Sequence, residues 1–224
     1  IHTKMRILLL LLMSSFHLSG YDFEHPKYEV IQKALVEEHN FSPEEIKLII
    51  GQAEKQQKII DSMNSPAEFT WTWERYRKLF IEPKRIKNGK LFIKKNLQTL
   101  ERAEAQFGVP KEVITAILGV ETRYGKIMGS YRVLDALSTL SFDYPRRSNF
   151  FSQELINLLL LARENNLDIF KLKGSYAGAM GYGQFIPSSY RAYAVDFDND
   201  GSVDLLNSVE DAIGSIGNYL FQHG

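Results

Sequence analysis

Apolar residues recur at helical spacing through most of the chain, and no strong run alternates as strands would. FSPEEIKLIIGQAEKQQKIIDSMNS sets Ile46, Ile49 and Ile50 on one face. It opens with Ser42, Pro43 and Glu45, a serine N-cap with proline in the first turn and glutamate three residues on, which predicts a capping box. An earlier helix is predicted near 28–38. TWTWERYRKLF predicts one more helix, and RIKNGKLFIKKNLQTLERAEAQFG another that stops at Gly108. VPKEVITAILGVETRYG begins with Pro110, and its Val113, Ile114, Ala116, Ile117, Leu118 and Val120 are apolar nearly all round, the pattern of a buried central helix. SQELINLLLLARENNLD predicts a second strongly apolar helix and PSSYRAYAV a short one. SVEDAIGSIGNYLFQHG starts with another capping box, Ser208 to Asp211, and its Gly214 and Gly217 lie one turn apart, where they allow close packing. The segment 174–185 predicts at most a short hairpin. The fold class is therefore mainly α. A soft boundary in 82–108 separates a polar, lysine-rich helical region, taken as 21–90, from the apolar helices of 91–224.

Composition changes this picture at three points. Hydrophobic residues make up 44% of the 224, enough to bury a core. The 27 Lys and Arg balance the 27 Asp and Glu, so bulk charge gives no reason to expect nucleic acid. There is no cysteine, which excludes disulfides, thiolate metal sites, a cysteine nucleophile and a lipid-modified cysteine. At the start, Lys4 and Arg6 precede the apolar run 7–13, and small residues follow to Gly20. Residues 1–20 thus read as a secretory signal peptide, with an apolar run too short to span a bilayer. Its removal would leave a net charge of −2.

Two segments carry chemistry. In DFDNDGSVDLLNSVED, Asp196, Asp198 and Asp200 occupy positions 1, 3 and 5 of an EF-hand pattern, with Gly201 at the turn and Ser202 at the backbone-carbonyl position. Three carboxylates this close repel one another, and a divalent cation relieves them. An all-oxygen set favours calcium. Asn207 stands where the bidentate glutamate belongs, so the last carboxylate must come from Glu210 or Asp211, and Asp211 is preferred. An unpaired motif of this kind points to a structural ion. The bland reading is an acidic solvated turn.

The second is Glu121, at the end of the apolar helix. Apolar surroundings and the negative end of the helix dipole both raise a carboxyl pKa, as a general acid requires. By position alone, a solvent-facing glutamate fits as well. GSYAGAMGYGQF adds weight: its glycines let backbone approach a ligand, and Ser175, Tyr182 and Gln184 offer neutral hydrogen bonds and a ring suited to sugars. It lacks the lysine of a phosphate loop.

FGVPKEVITAILGVETRYG, GSYRVLDALSTLSFDYPRRSNFF, LKGSYAGAMGYGQFIPSSYRAYAVDFDNDGSVDL and DAIGSIGNYLFQHG together resemble the family of membrane-bound lytic transglycosylase B, over roughly 25–224. The resemblance implies a lysozyme-like α+β catalytic core with a helical N-terminal region. It implies cleavage of the β-1,4 bond between N-acetylmuramic acid and N-acetylglucosamine in peptidoglycan, leaving a 1,6-anhydromuramic end. Glu121 would act as acid and then base. Ser175, Gln184 and Tyr219 would bind substrate near the cleavage point, with Tyr182 beside them, Arg146 and Arg147 on the glycan or peptide stem, and Tyr76 as a weaker candidate. Asp196, Asp198, Asp200, Ser202 and Asp211 would hold structural calcium, with no organic cofactor. The implied protein is a soluble periplasmic monomer acting on glycan strands, alongside other cell-wall enzymes. It lacks the lipoprotein cysteine of the founding member, and the family's pattern continues past Gly224 with further cleft residues. A goose-type lysozyme-like hydrolase and a non-catalytic peptidoglycan-binding module are the alternatives.

Overall fold

A computed structural model describes residue 21 and residues 23–65 and 71–224. The predicted signal peptide, 1–20, lies outside the described residues. Among the described residues eleven α-helices dominate: α1 (Pro26–His39), α2 (Pro43–Ile50), α3 (Gln57–Asn64), α4 (Trp73–Phe80), α5 (Pro83–Lys95), α6 (Leu97–Phe107), α7 (Lys111–Thr122), α8 (Val133–Asp143), α9 (Ser148–Glu164), α10 (Pro187–Tyr193) and α11 (Val209–His223). A two-residue antiparallel pair, β1 (Tyr131–Arg132) and β2 (Lys173–Gly174), joins Tyr131 to Gly174 and Arg132 to Lys173.

The central buried helix is α8. Every residue from Val133 to Phe142 is buried, and the helix packs chiefly on α9. The sequence disguises it, because Asp135, Ser138, Thr139 and Ser141 interrupt its apolar run. Three of those polar groups hold neighbours in place, as buried polar groups must. Asp135 Oδ1 accepts from Glu54 N at 2.8 Å and from Arg132 Nη2 at 2.5 Å. Thr139 Oγ1 accepts from Gln56 N at 3.0 Å and from the Tyr21 hydroxyl at 3.1 Å. Ser141 and Ser152 hydroxyls meet at 2.7 Å across α8 and α9. The loop leading into α3 is thus fastened to α8, and one hydrophobic cluster runs from Tyr28 to Ile216.

By contrast α7, expected to be buried all round, is buried on one side only. Ile114, Leu118, Gly119 and Thr122 face inward, while Val113 and Val120 are 43% and 44% exposed. The helix predicted over 85–107 breaks at Asn96, whose backbone (φ −114°, ψ 25°) leaves the helical region as its side-chain amide donates to the Phe92 carbonyl. Both capping boxes are half made. Ser42 Oγ accepts from Glu45 N, but the Glu45 carboxylate is drawn away to Arg163 at 2.8 Å. Ser208 Oγ accepts from Asp211 N, but the Asp211 carboxylate turns into the preceding loop. Gly214 and Gly217 sit under the rings of Phe197 and Phe107, where a Cβ would come within 2.3 and 2.7 Å of ring carbons. Among the described residues no helix is long and apolar enough to cross a membrane.

Candidate active site

The ETRYG stretch ends α7 in a tight knot. Arg123 and Tyr124 both take left-handed backbone (φ 51° and 62°), followed by Gly125 at 83°. Each side chain of the knot has a defined task. Arg123 pairs with Glu82 at 3.2 Å. The Tyr124 hydroxyl donates to the Arg85 carbonyl at 2.9 Å, crossing α7 and α5 where Gly119 and Gly89 leave room: a Cβ on either would lie 2.6 Å from it. Gly125 leaves room for the Tyr182 ring, which a Cβ would approach to 2.0 Å. Thr122, 1% exposed, bonds the Gly125 amide at 2.9 Å and the Tyr182 carbonyl at 2.8 Å.

The glycine-rich ribbon folds back on itself beside this knot. Gly174 bridges to Met180, and Met180 to Phe185. Gly178 and Gly181 adopt positive φ (85° and 72°), which non-glycine residues rarely tolerate. Gly181 also passes against the backbone of Leu205. Gln184 takes left-handed backbone (φ 51°) despite its side chain, a strain of the kind found at functional sites. Its amide donates to the carbonyls of Gly181 and Met128 at 3.0 and 3.2 Å.

Between α7, the ribbon, α10 and α11 lies a cavity of about 400 Å³, lined by Glu121, Gln184, Ser189 and Tyr219 among apolar walls that include Ile117, Phe185 and Ile216. Glu121 is the one carboxylate of that lining. It is open to the groove, yet the apolar walls strip enough water from it to raise its pKa above the usual carboxylate value. Tyr219 stacks on His223 at 4.2 Å and meets Phe185 edge-on at 5.8 Å, so it both packs and lines the groove.

The other candidate residues lie elsewhere. The Ser175 hydroxyl accepts from Ala177 N and Ala179 N at 3.3 and 3.1 Å, shaping the ribbon's turn. Tyr182 pins the ribbon to Gly125. Arg146 and Arg147 line a separate cavity with His25, Lys27 and Phe142, and Arg147 stacks over Phe150 at 4.2 Å. Tyr76 sits on α4 between Trp73 and Phe80, at 6.1 and 4.7 Å. Sequence reading assigned no site role to Ile117, Phe185 or Ser189. It also overlooked Glu154, whose buried carboxylate receives Ser188 N and Oγ (2.9 and 2.7 Å) and so fixes the start of α10 beside the groove. No local pattern marks Ser189 or Glu154. Only the meeting of distant helices does.

The acidic loop gathers Asp196, Asp198 and Asp211 so that one oxygen of each lies within 4.8 Å of the others. Asp211 is 1% exposed, takes the amides of Phe197, Asp198 and Asp204 at 2.7, 3.2 and 2.8 Å, and has its pKa raised by burial. Glu210 instead faces Arg102 at 3.4 Å. Asp200 Oδ1 accepts the Ser202 amide at 2.9 Å. Three converging carboxylates, with no cationic side chain among the described residues paired to them, form a hard-oxygen set that fits a divalent cation. The Tyr190 hydroxyl braces the loop from behind, donating to Val203 O and accepting Leu205 N, each at 3.0 Å.

The family described as Transglycosylase SLT domain matches residues 23–224. Membrane-bound lytic murein transglycosylase B of Escherichia coli (strain K12) is 46% identical over 215 residues, covering 92% of this chain and 59% of that protein. Escherichia coli lytic transglycosylase Slt35, solved in complex with calcium, superposes with a TM-score of 0.84 at 46% identity, covering 92% of this chain and 65% of the other. SltB3 from Pseudomonas aeruginosa, solved with NAG-anhNAM-pentapeptide, superposes at 0.81 with 30% identity, covering 92% and 54%. The chain thus spans about three fifths of the length of the E. coli relative.

Proposed function

From the premise that the chain belongs to the SLT transglycosylase family, we propose that it cleaves the β-1,4 bond between N-acetylmuramic acid and N-acetylglucosamine in peptidoglycan and leaves a 1,6-anhydromuramic end. The carrying observation is the lone, unpaired Glu121 carboxylate with its raised pKa in an apolar-walled groove. A raised pKa favours the protonated form that a general acid needs. Protonated Glu121 gives its proton to the glycosidic oxygen as the bond to the anomeric carbon breaks. The leaving sugar departs as an alcohol. Glu121, now a carboxylate, then takes the proton of the muramic acid 6-hydroxyl as that oxygen bonds to the anomeric carbon. The proton count closes and Glu121 ends as it began.

Hydrolysing glycosidases ordinarily need a second carboxylate as nucleophile or base. Here the sugar's own 6-hydroxyl is the nucleophile, and its acetamido group steadies the cationic centre. Gln184 and Tyr219, which share the groove with Glu121, would orient the sugar. Asp196, Asp198 and Asp211, with Asp200 and the Ser202 carbonyl, would hold calcium, which supplies charge neutralisation for the loop rather than chemistry. Calcium in the E. coli structure supports that reading. The signal-like N-terminus and the substrate both support the periplasm as the site of action.

Mass spectrometry of purified peptidoglycan digested by the protein and by Glu121→Gln tests the proposal. Muropeptides one water lighter than hydrolysis products, absent with the variant, are the expected result. Products of full hydrolysed mass would replace it with a lysozyme-like hydrolase. Glycan binding without any product would leave a binding module.

A further inference from the structure

Thr122 is the one residue of the knot that joins the end of α7 to the ribbon through a hydroxyl, and it directly follows Glu121. At 1% exposure the hydroxyl has no water to fall back on, so its bonds decide its worth. It accepts the Gly125 amide at 2.9 Å, which closes the turn after α7. It donates to the Tyr182 carbonyl at 2.8 Å, with the Leu118 carbonyl further away at 3.3 Å. The N–H of the same residue, Tyr182, donates to Leu205 O at 3.1 Å, and the neighbouring Asp204 N–H donates to the Asp211 carboxylate at 2.8 Å. Hydrogen bonds and the short chain segments between them therefore link the acidic loop through the ribbon to the Thr122 hydroxyl. A valine would fill the same volume and has no worse helix propensity. What distinguishes threonine here is the hydroxyl.

We propose that Thr122 is a positioning residue for Glu121: its hydroxyl locks the last turn of α7 to the ribbon and so holds the Glu121 carboxylate against the apolar walls of the groove. This rests on the reading of Glu121 as the catalytic acid. Without the bond, the last turn of α7 is free to shift from the ribbon that carries Gln184. Glu121 then moves toward water while the ribbon's side of the groove, with Gln184, stays in place. Ångström-scale misplacement of an acid lowers turnover far more than it lowers binding.

The test compares the wild type with Thr122→Val and Thr122→Ser, using soluble muropeptide chains as substrate. Near-UV circular dichroism checks packing, and carbon-13 NMR of carboxyl-labelled glutamate reads the Glu121 titration independently of any cleavage. For Thr122→Val we expect kcat to fall about tenfold to a hundredfold with KM unchanged. Its Glu121 midpoint should drop toward the ordinary carboxylate value, and the alkaline limb of the kcat/KM profile should move down with it. Thr122→Ser should match the wild type in each of these. Wild-type kcat and an unmoved midpoint in Thr122→Val would overturn the proposal, as would an equal loss in Thr122→Ser, which would assign the effect to the methyl group. If Thr122→Val loses its near-UV signal, Thr122→Ser decides: wild-type kcat and midpoint keep the assignment, and a change in either overturns it. If the wild type itself releases no product, the proposed reaction fails. The Glu121 midpoint then judges Thr122 alone, a shift supporting its role and no shift ending it.

Discussion

Asp211→Asn separates the acidic loop's two duties, holding its own backbone and holding an ion. In the folded chain Asp211 Oδ1 accepts from Phe197 N and Asp198 N, while Oδ2 accepts from Asp204 N. An asparagine that keeps its oxygen toward Phe197 and Asp198 presents an NH₂ to the Asp204 amide. One bond becomes a donor facing a donor, at a cost of about 1–3 kcal/mol in a buried setting. Against that, a cluster of three carboxylates loses one negative charge, which offsets part of the loss when no cation is present. The calcium-free stability of the variant should therefore lie close to that of the wild type, within about 2 kcal/mol. Calcium changes the comparison. At free calcium a hundred times its dissociation constant, binding stabilises the folded state by about 2.7 kcal/mol. For a chain of this size about 2–4 °C accompanies each kcal/mol, so the wild-type Tm should rise by about 5–11 °C. Asp211→Asn should lose most of that rise. The assay is a thermal melt followed by circular dichroism, in chelator and in millimolar calcium, for both proteins. A wild-type Tm indifferent to calcium, or a variant that keeps the full increment, would refute the assignment of Asp211 as a ligand.

Glu121 should depress stability at neutral pH. A carboxyl whose folded pKa is raised binds its proton more tightly folded than unfolded, so its contribution is fully present below the unfolded pKa and is lost as pH rises through the folded one. Glu121→Gln should accordingly melt above the wild type at pH 7, and the gap should close in melts run below the ordinary carboxylate pKa. Gly214→Ala would drive a methyl to 2.3 Å from Phe197 Cγ, and denaturant titration should show a loss of about 1–3 kcal/mol from overpacking.

Local chemistry was legible wherever the partner sits within a few residues. Ser42 and Ser208 cap their helices through amides three residues on. Gly108 ends α6 in the left-handed conformation (φ 69°) that its position suggested. The paired glycines of α11 lie under aromatic rings, as small residues one turn apart should. The motifs of the ribbon and the knot also identified a family, since several long stretches in fixed order are improbable by chance. Where the return arm of a capping box had to compete, the local reading failed: Arg163, more than a hundred residues from Glu45 in sequence, offers a charged partner that a backbone amide does not match.

The sequence by itself determined the mainly helical class, the capped helix ends, the spacing of the acidic loop and the place of a carboxylate at the end of the apolar helix. Each follows from backbone geometry and contacts a turn or two away. Tertiary structure alone decided that α8 and not α7 is buried all round, because its polar residues meet the loop before α3 and the face of α9. Tertiary packing brings Gln184 and Tyr219 into the lining of the Glu121 groove and leaves Arg146 and Arg147 in another cavity. It alone revealed the Thr122 hydroxyl as a tie between α7 and a carbonyl sixty residues away. Burial and long-range hydrogen bonds depend on which elements pack together, and that is set by the shape of the whole core rather than by any stretch of it.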